Sequence, residues 1–232
     1  MKFLKKPEDI PHTASLKNLL VYKIVVQELK TLFPKYIKGG LIDIGCGEKP
    51  FANMVAPYVT KHIGVDHQGT LHDKSDIDRF GTAYDIPAEE SEFDSAICTA
   101  VLEHLEEPDK AIAECRRVLK TGGIAIYITP LFWHLHEEPR DFYRYTKYGL
   151  TYLFEKNGFE MVESKPLSVF CVTFGQELVY YLWCFRTGGK LNFLWWIIPV
   201  MGMCTQAICY LLNKIDHSEE FTCAYLVVAR EK

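Results

Sequence analysis

The chain has no excess of positive charge: 26 lysines and arginines stand against 30 aspartates and glutamates, a formal net charge of -4. A nucleic-acid backbone is held by a concentrated basic surface, so nonspecific DNA or RNA binding is not expected. None of the eight cysteines (46, 98, 115, 171, 184, 204, 209 and 223) belongs to a Cys-x-x-Cys pair, and several lie inside apolar runs. That scatter points to buried free thiols in a reducing compartment rather than to zinc or disulfides, and no metal site is expected. The opening residues, Met1-Lys-Phe-Leu-Lys-Lys-Pro-Glu-Asp9, lack an apolar core of the kind a secretory signal needs, so the expected location is the cytoplasm. What is present is an ordinary globular balance, 48% hydrophobic and 24% charged, with enough length for one large α/β domain spanning 1–232.

One glycine is missing as well. Leu41-Ile-Asp43-Ile-Gly45-Cys46-Gly47 reads as a short buried strand ending in an acid and a tight glycine turn, with Pro50-Phe51 opening a helix behind it. Two glycines one residue apart let a backbone approach a ligand closely, and a following helix start offers unpaired N–H groups. The third glycine of a dinucleotide fingerprint is absent, with Lys49-Pro50 in its place, which argues against a pyrophosphate ligand. Asp43 beside the turn suits a ligand carrying ammonium or hydroxyl groups better. Lys61-His-Ile-Gly-Val-Asp66 reads as a second strand, and its terminal acid lies 19 residues beyond Gly47. That is where doubly wound folds bind ribose hydroxyls.

Apolar residues at Leu16, Leu19, Leu20, Ile24, Val25, Leu29, Leu32 and Phe33 predict a lead helix within 14–38, ended by Pro34 and Gly39-Gly40. Residues 67–80 are acidic and irregular and read as a surface loop. Phe93–Cys98 reads as a buried strand and Pro108–Leu119 as a helix stopped by Thr121-Gly-Gly123. Ile124–Ile128 is a continuous apolar run, expected of a central parallel strand covered on both faces. The polar-aromatic stretch 131–145 follows that strand's carboxyl end, where open α/β sheets hold their ligands. Thr146 is the expected N-cap of a helix through Phe154, stopped at Asn157-Gly158, and strands follow at Phe159–Leu167 and Thr222–Ala229. Strands alternating with helices predict an α/β fold.

Between those last strands, residues 168–218 form a hydrophobic helical insertion in which charge is scarce, and Leu191–Leu212 has no formal charge at all. Its length reaches that of a membrane span. Pro199, Gly202 and Gln206 interrupt it, however, and the final strand must return to the same sheet on the same side of a bilayer. Three arrangements stay open: an interfacial hairpin lying in a membrane surface, a soluble subdomain or homodimer contact, and a true span.

Five features occur in register: Leu41–Gly47; Gly64-Val-Asp66; Tyr84-Asp85-Ile86-Pro87; Phe93-Asp94 with Ala100-Val-Leu-Glu103-His104-Leu-Glu-Glu-Pro108; and Arg116-Arg-Val-Leu-Lys-Thr-Gly-Gly123. Together they resemble the class I S-adenosylmethionine (SAM)-dependent methyltransferases, specifically the type 11 group, from about Leu41 through Phe159, with Ala224–Ala229 matching the final strand. Trp133–Thr146 further resembles members associated with bacterial surface-glycan or lipid-linked biosynthesis. The resemblance implies a Rossmann-like, doubly wound seven-stranded sheet, mostly parallel with an antiparallel last strand, and SAM as cofactor. It implies that Asp43 and the backbone of Gly45, Cys46 and Gly47 hold the methionine part of SAM. Asp66, with His67 beside it, would take the ribose hydroxyls. Asp85 would accept from the adenine amine with Ile86 beside the ring, and the backbone at Cys98 or Thr99 would meet the ammonium.

Methyl transfer from a sulfonium is an in-line displacement on an activated carbon, so alignment supplies a large share of the rate. A hydroxyl acceptor also needs a base, and histidine is the suited side chain. His104 is one candidate, against a plain packing or capping role at a helix start. His136 is the other, with Asp141, Arg144 and Tyr145 close in sequence. Two readings stand for this group: a base oriented by a carboxylate with Arg144 binding an anionic acceptor, or a loop ordered by a self-contained Asp141–Arg144 salt bridge. The expected activity is methyl transfer, most simply to oxygen, on a small-molecule, glycan or lipid-linked acceptor, by a protein that is cytoplasmic or peripheral at the inner face of a membrane. A dinucleotide-dependent oxidoreductase and a catalytically silent SAM-binding scaffold are the alternatives.

Overall fold

The computed structural model describes residues 15–70, 72–185 and 196–232. In chain order the elements are α1 (Leu19–Tyr36), β1 (Gly39–Ile44), α2 (Ala52–Val55), β2 (Val59–Asp66), β3 (Arg79–Phe80), β4 (Phe93–Thr99), α3 (Pro108–Val118) and β5 (Leu119–Pro130). They continue with α4 (Lys147–Lys156), β6 (Phe159–Pro166), α5 (Phe170–Cys184), α6 (Ile197–Leu212) and β7 (Ala224–Glu231). The strands form one sheet in the order β3-β2-β1-β4-β5-β7-β6. The pairs from β3 to β5 are parallel, and β7 is inserted antiparallel between β5 and β6. This is the Rossmann-like α/β sheet expected from the sequence.

Alternation along β5 builds two apolar layers. Ile124, Ile126 and Ile128 pack with Leu29, Leu32 and Phe33 of α1, while Ala125 and Tyr127 pack with Ile112 of α3 and Phe154 of α4. Successive side chains of a strand point to opposite faces, so a run covered by helices on both sides must be apolar throughout. Each large side chain buried this way contributes about 1.5–3 kcal/mol. The same logic orients α3, whose Ala111, Ile112, Cys115 and Val118 are buried on one stripe. Thr146 caps α4 as expected, its hydroxyl accepting from the Gly149 N–H at 3.1 Å.

Three details differ from the sequence expectation. Pro34 does not end the lead helix but lies inside it, and α1 continues to Tyr36. Proline is most disruptive in a helix interior, and here only two more residues of helix follow. The stretch 67–80, read as a loop, ends in the two-residue strand β3, paired to β2 through Val65↔Arg79 and Asp66↔Phe80. The helix expected behind the glycine turn is the single short turn α2.

The insertion packs α5 against α6 and both against the start of α1. Gln206, which the sequence offered only as a polar interruption, accepts from the Leu20 N–H at 2.9 Å and donates to the Leu16 carbonyl at 2.8 Å. It thereby satisfies a donor in the first turn of α1 that the helix itself leaves open. Gln176 donates to the Lys17 carbonyl at 2.6 Å. On the outer side, Leu178 and Tyr181 of α5 and Ile208 and Leu211 of α6 are exposed. No helix among the described residues is long and apolar enough to cross a membrane. Residue 14 of the expected lead helix, the opening segment Met1–Asp9, and residues 191–195 of the uncharged run lie outside the described residues.

Candidate active site

Two clusters stand at the carboxyl ends of the parallel strands. The first is the turn after β1. Gly45 has φ +69°, and a Cβ there would stand 2.4 Å from Val101 Cγ2, so this position needs glycine both for conformation and for space. The N–H groups of Gly45 and Cys46 both donate to the Val65 carbonyl, at 2.8 and 3.1 Å, and the Gly47 N–H donates to Asp66 Oδ2 at 2.9 Å. The turn is therefore sewn onto β2. The sequence placed unpaired N–H groups at the helix start behind the turn; in the turn itself all three N–H groups are consumed by the fold. They present a close-packed backbone surface rather than a nest for a pyrophosphate, whose recognition depends on such donors.

Lys49 explains itself in this frame. It too has a left-handed backbone, φ 44°, and its ammonium is bound by Asp78, whose Oδ2 also accepts from the Gly64 N–H at 2.7 Å. Gly64 leaves room for this tie, since a Cβ there would stand 2.3 Å from Lys49 Cε and 2.7 Å from Cys46 Sγ. Cys46 is buried, and that burial pushes its thiol up to about 12, so it is neutral and inert.

The acids differ in their availability. Asp66 is 7% exposed and accepts from Gly47 and from the His67 N–H at 2.7 Å. Each carboxylate oxygen has a second lone pair, so two hydroxyls can still be accepted. Asp43 is 4% exposed, and its Oδ2 lies 3.2 Å from His62 Nε2. Burial pushes its carboxyl up, against the pull of His62. Its partner is thus inside the fold, which the sequence did not indicate. His67 is exposed, with its ring Nδ1 accepting from the Gly69 N–H at 3.1 Å. Asp85 is exposed at a tight turn closed by reciprocal backbone bonds with Thr82. Ile86 departs from the role implied for it: its side chain is 1% exposed and its N–H donates to Glu114 Oε1 at 2.8 Å. The β1–β4 ladder ends at Asp43↔Ile97, while β4 continues on its other side to Thr99↔Ile128. The backbone of Cys98 and Thr99 therefore lies where two parallel strands diverge, the usual ligand crevice of such sheets.

The second cluster joins the turn Leu102–His104 to the loop after β5. Glu103 is only 1% exposed, and burial pushes its carboxyl up to about 8. His136 Nε2 lies 3.9 Å from Glu103 Oε1, His104 Nε2 lies 4.0 Å from the same oxygen, and the imidazole centroids are 4.7 Å apart. His104 Nδ1 is bonded to the Arg140 carbonyl. His136 Nδ1 lies 3.3 Å from the His134 carbonyl and 3.4 Å from Asp141 Oδ2. Burial and the neighbouring His104 lower the His136 pKa, so it is neutral near pH 7.

Arg144 settles which reading of the loop applies to it. Its guanidinium grips both oxygens of Asp141, at 2.6 and 2.7 Å, and donates to the carbonyls of Trp133, His134 and Tyr143. A guanidinium spent in this way orders the loop and is not offered to an anionic acceptor. Bound by Arg144, the Asp141 carboxyl is held well below the usual range, and it also accepts from the His136 N–H at 3.0 Å. Tyr145 is buried, and its hydroxyl donates to the Leu102 carbonyl at 3.0 Å, fastening the loop to the histidine turn. Burial holds its phenol well above the usual range. The residue that sequence reasoning passed over is Glu103; the only signal was an acid adjacent to His104 directly after a buried strand.

Comparison with known proteins agrees with this geometry. Residues 42–127 match the type 11 methyltransferase-domain family. An uncharacterized protein of Methanocaldococcus jannaschii is 36% identical over 111 residues, 46% of this chain and 51% of the relative. The ubiquinone biosynthesis O-methyltransferase of Dinoroseobacter shibae is 31% identical over 120 residues, 47% of this chain and 46% of the relative. The chain thus spans about half the length of the curated relatives it matches. A SAM-dependent methyltransferase from Mesorhizobium loti superposes over 91% of this chain and 100% of its own, with a TM-score of 0.58 and 12% identity, a likeness of fold.

Proposed function

We propose that the protein is a SAM-dependent methyltransferase (EC 2.1.1.-) that methylates an oxygen of a small-molecule, glycan or lipid-linked acceptor. The observation that carries the proposal is the turn Gly45–Gly47 locked onto Asp66, where β1 and β4 diverge. The donor set fits SAM: a glycine surface without free phosphate-binding N–H groups, and a buried acid with spare lone pairs for a ribose. SAM, when bound, supplies an electrophilic methyl carbon on a sulfonium.

The chain's own residues supply the rest. Asp66 accepts from the ribose hydroxyls, Asp85 borders the adenine, and the backbone at Cys98 and Thr99 faces the ammonium. Asp43 acts at one remove, holding His62 beneath the turn. At the acceptor side, His136 takes the hydroxyl proton at Nε2. Asp141 fixes its tautomer through Nδ1, Arg144 holds Asp141, and His104 stands in ring contact with the base. General-base assistance of this kind contributes ~10²–10⁴-fold.

An acceptor with a lipid part is supported by the wall of this cluster. His134 contacts α5 through Glu177 at 3.5 Å and through the Tyr180 ring at 4.3 Å between centroids, and α5 carries the exposed apolar residues on its outer side. Lys17 lies over the Tyr180 ring, and Lys23 and Lys214 over Tyr210. Basic side chains bordering an apolar face suit an anionic membrane surface, which corresponds to a peripheral location.

SAM should raise the melting temperature of the protein while NAD does not, and tritiated SAM should label an extractable acceptor in a cell lysate. A shift with NAD alone, or none with SAM, overturns the proposal. Sedimentation with anionic vesicles should fall on Leu178→Glu and Ile208→Glu; equal sedimentation removes the membrane part only.

A further inference from the structure

The atoms His104 Nε2, His136 Nε2 and a Glu103 carboxylate oxygen all lie within 4.8 Å of one another, yet none bonds to another, their separations from Glu103 Oε1 being 3.9 and 4.0 Å. Glu103 Oε2 and His104 Nε2 have no hydrogen-bond partner although both are buried. Buried polar atoms without a partner are costly, and such atoms call for a missing partner.

The tautomers narrow what that partner is. His104 Nδ1 faces the Arg140 carbonyl, so it carries the proton and leaves a lone pair on Nε2. His136 Nδ1 faces the His134 carbonyl and the Asp141 carboxylate, so it too carries the proton. Two imidazole lone pairs and the Glu103 carboxyl therefore face one another with no hydrogen bond formed among them. Metal-bound histidines characteristically donate their other ring N–H to a carbonyl or carboxylate, and both histidines do so here. Arg144 completes the outer layer by holding Asp141. Glu137 Oε2, 3.8 Å from His104 Nε2, stands on the solvent side.

We propose that Glu103, His104 and His136 form a site for one divalent transition-metal cation of the zinc, cobalt or iron(II) class. Two imidazoles and one carboxylate are a ligand set suited to such ions. Around a metal with ligand bonds of about 2.0–2.2 Å the donor atoms stand roughly 3–3.5 Å apart, so closing from the present spacing takes side-chain adjustments of about an ångström. Three protein ligands leave a position open on the Glu137 side, where a hydroxyl oxygen can bind and lose its proton more readily. In that state the metal takes over the activation assigned above to the free His136 imidazole. Metal binding itself does not depend on the methyltransferase reading.

The test uses the full chain without SAM or acceptor. Cobalt(II), added to protein stripped with a chelator, should give visible bands of a low-symmetry nitrogen–oxygen site at one equivalent, and zinc(II) should displace it. Calorimetry with zinc(II) should show one tight site, weakened at least about tenfold in His104→Ala, His136→Gln and Glu103→Gln. His134→Ala should retain it, and circular dichroism should confirm that each variant is folded. Equal affinity in the wild type and the three ligand variants, or thiolate charge-transfer bands in place of the visible set, overturns the site. It would mean that the cluster holds only a shared proton. Methyl transfer that persists while metal binding fails leaves the direct imidazole mechanism standing.

Discussion

The two clusters at the strand ends are made of different material. Around Gly45–Gly47 the backbone forms the surface, three consecutive N–H groups are tied to β2, and one acid, Asp66, holds the turn in place. Around Glu103, His104 and His136 the working groups are side chains from two segments, the turn 102–104 and the loop 131–146, joined through Tyr145 and His104. A backbone-built site is fixed as soon as its strands pair. A side-chain-built site depends on a loop staying docked and on a buried acid with one oxygen unpaired. The first should be rigid, the second sensitive to single polar atoms.

The largest expected separation between the two is catalytic. His136→Ala should cut turnover by about 10²–10⁴-fold while calorimetric SAM affinity stays at the wild-type value. Asp66→Asn should do the reverse, weakening SAM by about 10–100-fold, the worth of a hydrogen bond to a charged group. A His136→Ala enzyme with wild-type turnover would remove that residue from the chemistry.

Next in size is Gly45→Ala. The left-handed φ costs a non-glycine residue about 1–2 kcal/mol, and the new methyl meets Val101 at 2.4 Å. Urea denaturation should show a loss of about 1–3 kcal/mol, and SAM affinity should fall with it. An unchanged affinity would mean that the turn is only scaffolding.

The pH response should mark the second cluster. Burial raises the Glu103 carboxyl to about 8, against about 4.3 in an unfolded chain. Between these values the folded state binds a proton that the unfolded state has lost. The stability from neutral Glu103 is therefore complete below the unfolded pKa and is lost as pH rises through about 8. In chelator-treated protein the slope in that window should approach about -1.4 kcal/mol per pH unit from this group, and Glu103→Gln should flatten it. An identical slope in both proteins would mean that Glu103 is ionised and solvated.

The same division explains what could be read from residue order. Asp43, Gly45, Gly47 and Asp66 are close in sequence or end adjacent strands, so a local pattern records them. Their partners are less legible: nothing local says that His62 meets Asp43, or that Asp78 binds Lys49. The stretch 131–145 was visible as a polar-aromatic loop on the ligand side of the sheet, yet whether Arg144 faces a ligand or its own loop depends on three carbonyls and a carboxylate that only folding gathers. Glu103 was hidden because an acid beside a histidine is common, and only its burial makes it unusual. Gln206 looked like a flaw in an apolar run until the start of α1 was found against it.

The smallest effect tests the seam between loop and turn. Tyr145 donates to the Leu102 carbonyl from a buried position, so Tyr145→Phe should cost about 0.5–1.5 kcal/mol in urea denaturation and leave SAM affinity alone. Loosening the turn lets His104 and Glu103 drift relative to His136, so turnover should fall severalfold with KM for the acceptor rising in step. That pattern marks a positioning residue. If Tyr145→Phe instead removed turnover as completely as His136→Ala, at unchanged KM, the phenol would have to touch the reacting atoms. The seam would then be part of the chemistry rather than its support.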